Sequence, residues 1–291
     1  MTGRTLLLTG AAGRLGSQLV PALQGAGWRV RALVHHRPAP GADESVRGDL
    51  LGPESLAAAV AGVQAVVHAA AVTHSRRARR YAEVNVGGTR ALVTAASAVG
   101  VERFVHISSH AIGVGGGPYS DSKREAEDVV RSGGVPFTIL RLPEVYGAGG
   151  EGIDRMIAAG RAGRAIPVIG SGDFELRPVH VDDVTAVVVR ALEAPAAANK
   201  AYTLAGPSLT LREAADLCRQ LSGGRSRIVG VPEGVVRAAT VLSRVLPVPV
   251  YPDQLDRLRA ARPAPSPEAR AELDFAPAPL SERLGGATDE R

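Results

Sequence analysis

A short apolar run that ends in a glycine turn and opens directly into a helical pattern leaves a chain few folds to adopt. Here Arg4 to Thr9 runs into Gly10-Ala11-Ala12-Gly13-Arg14-Leu15-Gly16, after which Leu15, Leu19, Val20 and Leu23 recur at helical spacing. The unit then repeats in kind. Strand-like stretches at Arg29 to Val34, Ala65 to Ala70, Arg103 to Ser108 and Phe137 to Leu142 alternate with helical ones at Pro53 to Ala61, Tyr81 to Val99 and Ser120 to Ser132. Strands alternating with helices imply right-handed βαβ units, a parallel sheet and helices on both faces. The expected class is therefore α/β with a doubly wound parallel sheet, the Rossmann arrangement. Pro21 falls inside the first helix, where it forfeits a backbone hydrogen bond.

After about Gly149 glycine and proline become frequent and the helical stretches shorten. Thr210 and Glu213 form a T-x-x-E capping box ahead of Ala214, Leu217 and Leu221. Val235 to Leu246 and Asp253 to Ala261 have helical patterns, Arg262 to Pro267 is a proline-rich break, and the tail after Leu284 is expected to be poorly ordered. We expect residues 1–150 to form the dinucleotide-binding domain, with 179–205 returning to its sheet. Residues 151–178 and 206–291 then form a smaller mixed substrate domain.

Composition narrows the class of protein. Of 291 residues, 45% are hydrophobic, which argues against a disordered chain, and the net charge of +5 favours anionic ligands. The single cysteine, Cys218, excludes an intrachain disulfide framework and suits a reducing compartment. No apolar stretch approaches the roughly 18 residues of a membrane span, and Leu6-Leu7-Leu8 is too short for a signal peptide. We expect a cytoplasmic protein without a membrane partner.

Glycines at 10, 13 and 16 allow the backbone to approach a pyrophosphate and the helix to pack on the strand, with the helix N-terminus facing the phosphate charge. An NAD site of this kind usually carries an acidic residue about 20 positions on, to bind the ribose hydroxyls. Here the first carboxylate of the chain is Asp43, and the second strand runs out into His35-His36-Arg37. Cations such as Arg14 and Arg37, with His35 beside them, attract a 2′-phosphate that a carboxylate would repel. NADP is the expected cofactor, with NAD the alternative.

Ser108 and Ser109 end the strand that begins at Arg103, and Tyr119 precedes Lys123 by four residues. On a helix, i and i+4 share a face, and an ammonium beside a phenol lowers the pKa of the phenol. Tyr119 is then a usable proton donor or acceptor, and a serine hydroxyl can hold the substrate oxygen.

These stretches together resemble the extended short-chain dehydrogenase/reductases, the group that contains NAD-dependent epimerases and dehydratases. The resemblance runs in order over roughly residues 4 to 205: the loop Thr9 to Gly16, Gly48-Asp49-Leu50, His68-Ala69-Ala70-Ala71, Asn85-Val86-Gly87-Gly88-Thr89 and Val105 to Ser109. It continues through Tyr119-Ser120-Asp121-Ser122-Lys123, Leu140 to Gly147 and Val179 to Val184. It implies a pyrophosphate loop at Gly10, Ala12, Gly13, Arg14, Leu15 and Gly16. Adenine contacts are implied at Asp49 and Leu50, and cofactor lining at Ala69, Ala70, Ala71, Asn85, Ser108, Pro143 and Val145. The implied catalytic set is Ser109, Tyr119 and Lys123, with Lys123 also on the nicotinamide ribose. Substrate contacts are implied at Thr73, Ser109 and Arg177, the arginine reaching the diphosphate of a nucleotide sugar or, alternatively, pairing with Asp182 or Asp183.

The chain also departs from that pattern. The segment from Ser109 to Tyr119 is short and rich in glycine, and the family's Arg-Pro becomes Arg141-Leu142-Pro143. Tyr251 to Arg259 resembles the branch that includes an accessory subunit of respiratory complex I, some members of which bind NADP without known turnover. The resemblance implies hydride transfer at a secondary alcohol or ketone carbon of a small molecule, as reductase, dehydrogenase or epimerase. The alternative is a non-catalytic NADP-binding regulatory or assembly protein. A homodimer through the two long helices is expected. The run Arg76, Arg77, Arg79 and Arg80 has the look of a solvated face. With aromatics at 3%, nucleic acid is not an expected partner. His68 and His106 fit core histidines, and no ligand spacing supports a metal.

Overall fold

The computed structural model describes residues 3–113, 115–243, 251–252, 255–256 and 264–285. The first apolar run forms β1 (Thr5–Thr9), with Leu6, Leu7 and Leu8 fully buried. The turn at Gly10 leads into α1 (Arg14–Gly25), which continues through Pro21. There follow β2 (Arg29–Val34), β3 (Glu44–Arg47), α2 (Pro53–Val60) and β4 (Ala65–His68). β3 is short, alternates exposed and half-buried residues, and lies at the sheet edge, so its sequence carries little strand signal.

A continuous helical segment then runs through α3 (Arg79–Tyr81), a π-helical stretch Ala82–Gly88 and α4 (Thr89–Ala98). The pattern predicted a plain helix over Tyr81 to Val99. Wider i→i+5 turns of this kind are rare and cluster at functional sites. β5 (Arg103–Ser109), α5 (Gly117–Ser132) and β6 (Phe137–Leu142) complete the alternation. Later in the chain come α6 (Ile153–Arg161), α7 (Val181–Glu193), α8 (Leu211–Gln220) and α9 (Glu233–Leu242). The strand Lys200–Thr203 joins the sheet beside β6.

The seven strands are all parallel, in the order β3-β2-β1-β4-β5-β6 and then Lys200–Thr203. This is an α/β doubly wound sheet. Alternation along β1 sends Leu6 and Leu8 to one face, against Leu19 and Leu23 of α1 and Val184 and Val188 of α7. Leu7 goes to the other, with Leu56, Leu92, Phe104 and Val130 from α2, α4, β5 and α5. The strand order reverses between β1 and β4, and a crevice at the carboxyl ends of strands opens at such a reversal.

A separate apolar cluster joins Tyr146, Ile153, Met156, Ile166, Val168, Leu176, Ala214 and Cys218 with Leu280 and Leu284. Around it lie two-stranded pairings at Val145–Tyr146 with Val179–His180, Glu175–Leu176 with Leu209–Thr210, and Ile166–Ile169 with Ile228–Val231. The capping box forms at α8: Thr210 Oγ1 accepts from Glu213 N at 3.1 Å and Glu213 Oε2 accepts from Thr210 N at 2.6 Å. The helix Glu268–Leu273 packs Ala269 and Leu273 on the α1/α7 face of the large sheet, although it lies within 206–291. Val235 to Leu246 forms a helix as far as Leu242. Residues 244–246 of that pattern, most of Asp253 to Ala261, the start of the Arg262 to Pro267 break and the tail beyond Gly285 lie outside the described residues.

Candidate active site

Two cavities follow one cleft along the carboxyl ends of the strands. The first, about 380 Å³, is lined by Gly10, Ala12 and Gly13, by the β2 end from Leu33 to Arg37, by Gly48 to Leu50 and by Ala69 to Val72. The second, about 430 Å³, is lined by Arg14, Thr73, His74, Ser108 to Ala111, Tyr119, Leu142 to Val145 and Glu151 to Ile153. The lining passes from Gly13 to Arg14 and from Val72 to Thr73 between them.

The glycine loop is a cradle with no room for side chains. Gly10 has φ +75°, and a Cβ there would stand 2.7 Å from Ala70 N. A Cβ on Gly16 would stand 2.1 Å from Gly10 O. Gly16 thus seats α1 against the loop, and Leu15 packs against the core; neither residue lines a cavity, and both lie in the first turn of α1, where backbone N–H groups have no partner within the helix. Gly13 caps α1 with an extended backbone and no side-chain partner. A helix terminus of that form offers free N–H groups to an anion. These residues fit a dinucleotide pyrophosphate.

At the far end of the first cavity, His35 Nε2 lies 3.4 Å from Asp49 Oδ2, its ring meets that of His36 at a tilt of 39°, and Arg37 joins the wall. Arg80 is there too. It belongs to the basic run expected to be a solvated face, and it is exposed, with Nη1 3.8 Å from Glu83 Oε2, while also reaching the cavity wall. The available signal was spacing: Arg80 and Val84, four apart on one helical segment, both line the cavity.

In the second cavity, Ser109 ends β5 and its Oγ accepts from Ala111 N at 3.1 Å. Tyr119 is 6% exposed, with Tyr81 edge-on to its ring at 5.7 Å. Lys123, one turn along α5, is buried and its Nζ donates to Ile107 O at 2.7 Å. Burial pushes its ammonium down to about 8, against an opposing pull from Glu127. The core histidines lie beside it. Burial, then the Lys123 charge, holds His68 down to about 3 and His106 well below its usual value. His68 bridges Thr9 Oγ1 at 2.7 Å and Thr89 Oγ1 at 2.9 Å.

Other expected contacts take different places. Ser108 lines the cavity but donates to Glu127 Oε1 at 2.6 Å. Asn85, in the π-helical stretch, clasps Val72 through both its N–H and its C=O, and donates to Ser122 Oγ at 3.0 Å. It fixes the loop that lines the cleft rather than lining it. Arg177 pairs with Glu175 at 2.8 Å and lines neither cavity. Asp182 and Asp183, its expected alternative partners, pair instead with Arg283, and Asp182 also with His180. Sequence reasoning passed over His74 and Glu151. Glu151 lies 3.8 Å from Arg14 Nη2 and 3.3 Å from His74 Nε2, so it ties the glycine strap Gly149-Gly150-Glu151-Gly152 to two walls of the second cavity.

The model of the NAD dependent epimerase/dehydratase family matches residues 6–205. The chain belongs to that family. Among curated relatives, a ceramide reductase of Caulobacter vibrioides is 34% identical over 194 residues, 65% of this chain and 61% of the relative. This epimerase/dehydratase family chain therefore spans about three fifths of that relative's length. A 4-hydroxy-2-methyl-3-oxo-4-farnesyl-3,4-dihydroquinoline-1-oxide ketoreductase of Stigmatella aurantiaca is 28% identical over 267 residues, 82% of this chain and 79% of the relative. The epimerase Mth375 of Methanothermobacter thermautotrophicus superposes with a TM-score of 0.79 at 22% identity, covering 97% of this chain and 90% of its own, a likeness of fold. Among the described residues, no helix is long and apolar enough to cross a membrane.

Proposed function

We propose that the chain is an NADP(H)-dependent oxidoreductase acting at a secondary alcohol or ketone carbon of a small molecule. The observation that carries this is the meeting of Ser109 and Tyr119 in one cavity, with Lys123 a turn behind, beside a glycine cradle that fits a dinucleotide. The bound nicotinamide supplies the hydride donor or acceptor. Ser109 holds the substrate oxygen, Tyr119 moves the proton on that oxygen, and the Lys123 charge stabilises the phenolate.

NADP is favoured over NAD by Arg37 and Arg80 in the wall of the first cavity, in excess of the single carboxylate among the described residues there, Asp49, and by a β2 end that carries no carboxylate of its own. Net ketone reduction is favoured over a nucleotide-sugar reaction: Arg177 is turned to Glu175, and two relatives bear reductase names. The convergence of three functional side chains also favours an enzyme over a non-catalytic binding or assembly protein. We place the substrate-recognition surface around α6 and α8, a homodimer contact on the outer faces of α4 and α5, and the protein in the cytoplasm, on the strength of its single buried thiol.

The test is consumption of NADPH absorbance across a panel of ketones from sugar to lipid. Turnover without net change in NADPH would move the assignment to an epimerase. No turnover on any ketone, with tight NADPH binding, would favour the non-catalytic role. Light scattering near 30 kDa at micromolar concentration would remove the dimer.

A further inference from the structure

Glu127 lies on α5 four residues beyond Lys123, with its side chain 1% exposed. Oε1 accepts from Ser108 Oγ at 2.6 Å and from Arg141 Nε at 3.0 Å. Oε2 accepts from Arg141 Nη2 at 2.7 Å and from Arg131 Nη2 at 2.8 Å. One carboxylate thus joins β5, α5 and β6 at the strand position next to Ser109. Lys123, equally enclosed, donates to the Ile107 carbonyl. A buried ammonium gives up its proton readily unless an opposite charge stands near.

We propose that Glu127 is a positioning residue for the catalytic set: it fixes the Ser108–Ser109 strand end against α5 and is the counter-charge that keeps Lys123 protonated beneath Tyr119. The inference rests on the assignment of Lys123 to catalysis made above.

The groups packed around Lys123 support it. His68 from β4 and His106 from β5 are buried and neutral. Tyr81 from α3 meets Tyr119 edge-on. Arg90 of α4 and Asp121, Arg124, Glu125 and Asp128 of α5 are exposed or half-exposed on the outer side. Arg141 and Arg131 are bound to Glu127, and their side chains are 20% and 37% exposed, so solvent weakens their charge, although that of Arg131 still reaches His106. The enclosed carboxylate is screened far less. Burial pushes the Glu127 carboxyl up, but hydrogen bonds from Arg141 and Ser108 reverse this and hold it below its usual range. It is ionised wherever the enzyme works.

Lys123 and Lys200 are the only lysines in the sequence, which makes a direct test possible. Lys200 sits in a half-exposed pair with Glu272 and serves as an internal control. In full-length protein labelled with ε-¹³C lysine, Lys200→Arg assigns the two side-chain signals. Lys123 should titrate near pH 8 in the native chain. Glu127→Gln, which keeps the shape but not the charge, should lower that midpoint by about one unit or more, a tenfold loss of the charged form. Ser108→Ala should leave the midpoint in place while lowering turnover. An unmoved Lys123 midpoint in Glu127→Gln overturns the counter-charge, and normal turnover in Ser108→Ala overturns the strand-end role. A native midpoint below about pH 6, typical of a buried lysine without a counter-charge, overturns it even if the Gln variant does not fold. Failure of the catalytic assignment shows separately, as normal turnover in Tyr119→Phe with these titrations intact.

Discussion

The two cavities of the cleft are built on opposite plans. The first combines the glycine and alanine backbone of the β1 and β4 ends with apolar side chains such as Leu33, Leu50 and Val84, and sets its charged groups, Arg37, Asp49 and Arg80, in one wall. The second is made of side chains from six separate stretches of chain, from Arg14 to Ile153. A glycine cradle is fixed once the fold forms and tolerates change at its edges. A side-chain site depends on each contributor and on the groups that hold it. Substitutions in the second should therefore act on chemistry, and those at the rim of the first on affinity.

The strongest way to break this comparison is at Tyr119. General acid–base catalysis contributes about 10²–10⁴-fold, so Tyr119→Phe should lower turnover by that order. Fluorescence titration should find its NADPH affinity nearly unchanged; a parallel loss of affinity would mean that the two cavities are not separable.

Lys123→Met tests what the chemistry costs the fold. The native ammonium is lowered from 10.5 to about 8, so folding disfavours its charged form. Between those two values the unfolded chain binds more protons, and native stability from this group rises with pH. Below pH 8 the penalty is complete, about 3 kcal/mol. Chemical denaturation should find that the stability of Lys123→Met relative to the native chain falls by that order between pH 7 and pH 10, as the native penalty is relieved. A pH-independent difference would deny the penalty.

At the rim of the first cavity, Arg80→Glu and Arg37→Glu should each weaken NADPH binding about tenfold, the order of one charge-assisted contact, and leave NADH nearly unaffected. Calorimetry with both cofactors decides it; equal losses for NADH would move these arginines away from the 2′-phosphate. The smallest expected effect is at Glu151, whose side chain is 39% exposed. Loosening the strap in Glu151→Gln should raise KM for the ketone by no more than about fivefold, in line with exposed ion pairs. A larger change would make the strap part of substrate recognition.

The parts of the fold that were legible are those with a strong local pattern. The leucines of β1, the glycine loop, the helical spacing of α1 and the T-x-x-E box of α8 each carry their own physics. β3 and the two-stranded pairings around α6 and α8 were not legible. They are two to four residues long, and pairing partners rather than composition make them strands. The π-helical stretch was hidden likewise, because a periodicity near 3.6 does not report one widened turn.

The candidate site divides along the same line. Gly10, Tyr119 and Lys123 announce themselves, because a positive φ demands glycine and an i, i+4 pair shares a helix face. Arg80, His74, Glu151 and Glu127 do not: a charged residue in sequence has the same appearance whether it ends in solvent, at a cavity wall or in a buried network. Arg177 makes the converse point, since its expected place in the cleft was lost to Glu175, two residues away.

By itself the sequence determined the alternation of strand and helix, the turn that only glycine can make, and the phenol and ammonium set one helical turn apart, because each is a property of neighbouring residues. The tertiary structure alone decided which of the many arginines face the cleft, that Asn85 clasps Val72, and that Glu127 lies enclosed beside Ser108. Those outcomes depend on which distant segments meet, and burial sets the free energy of a charge only after they have met.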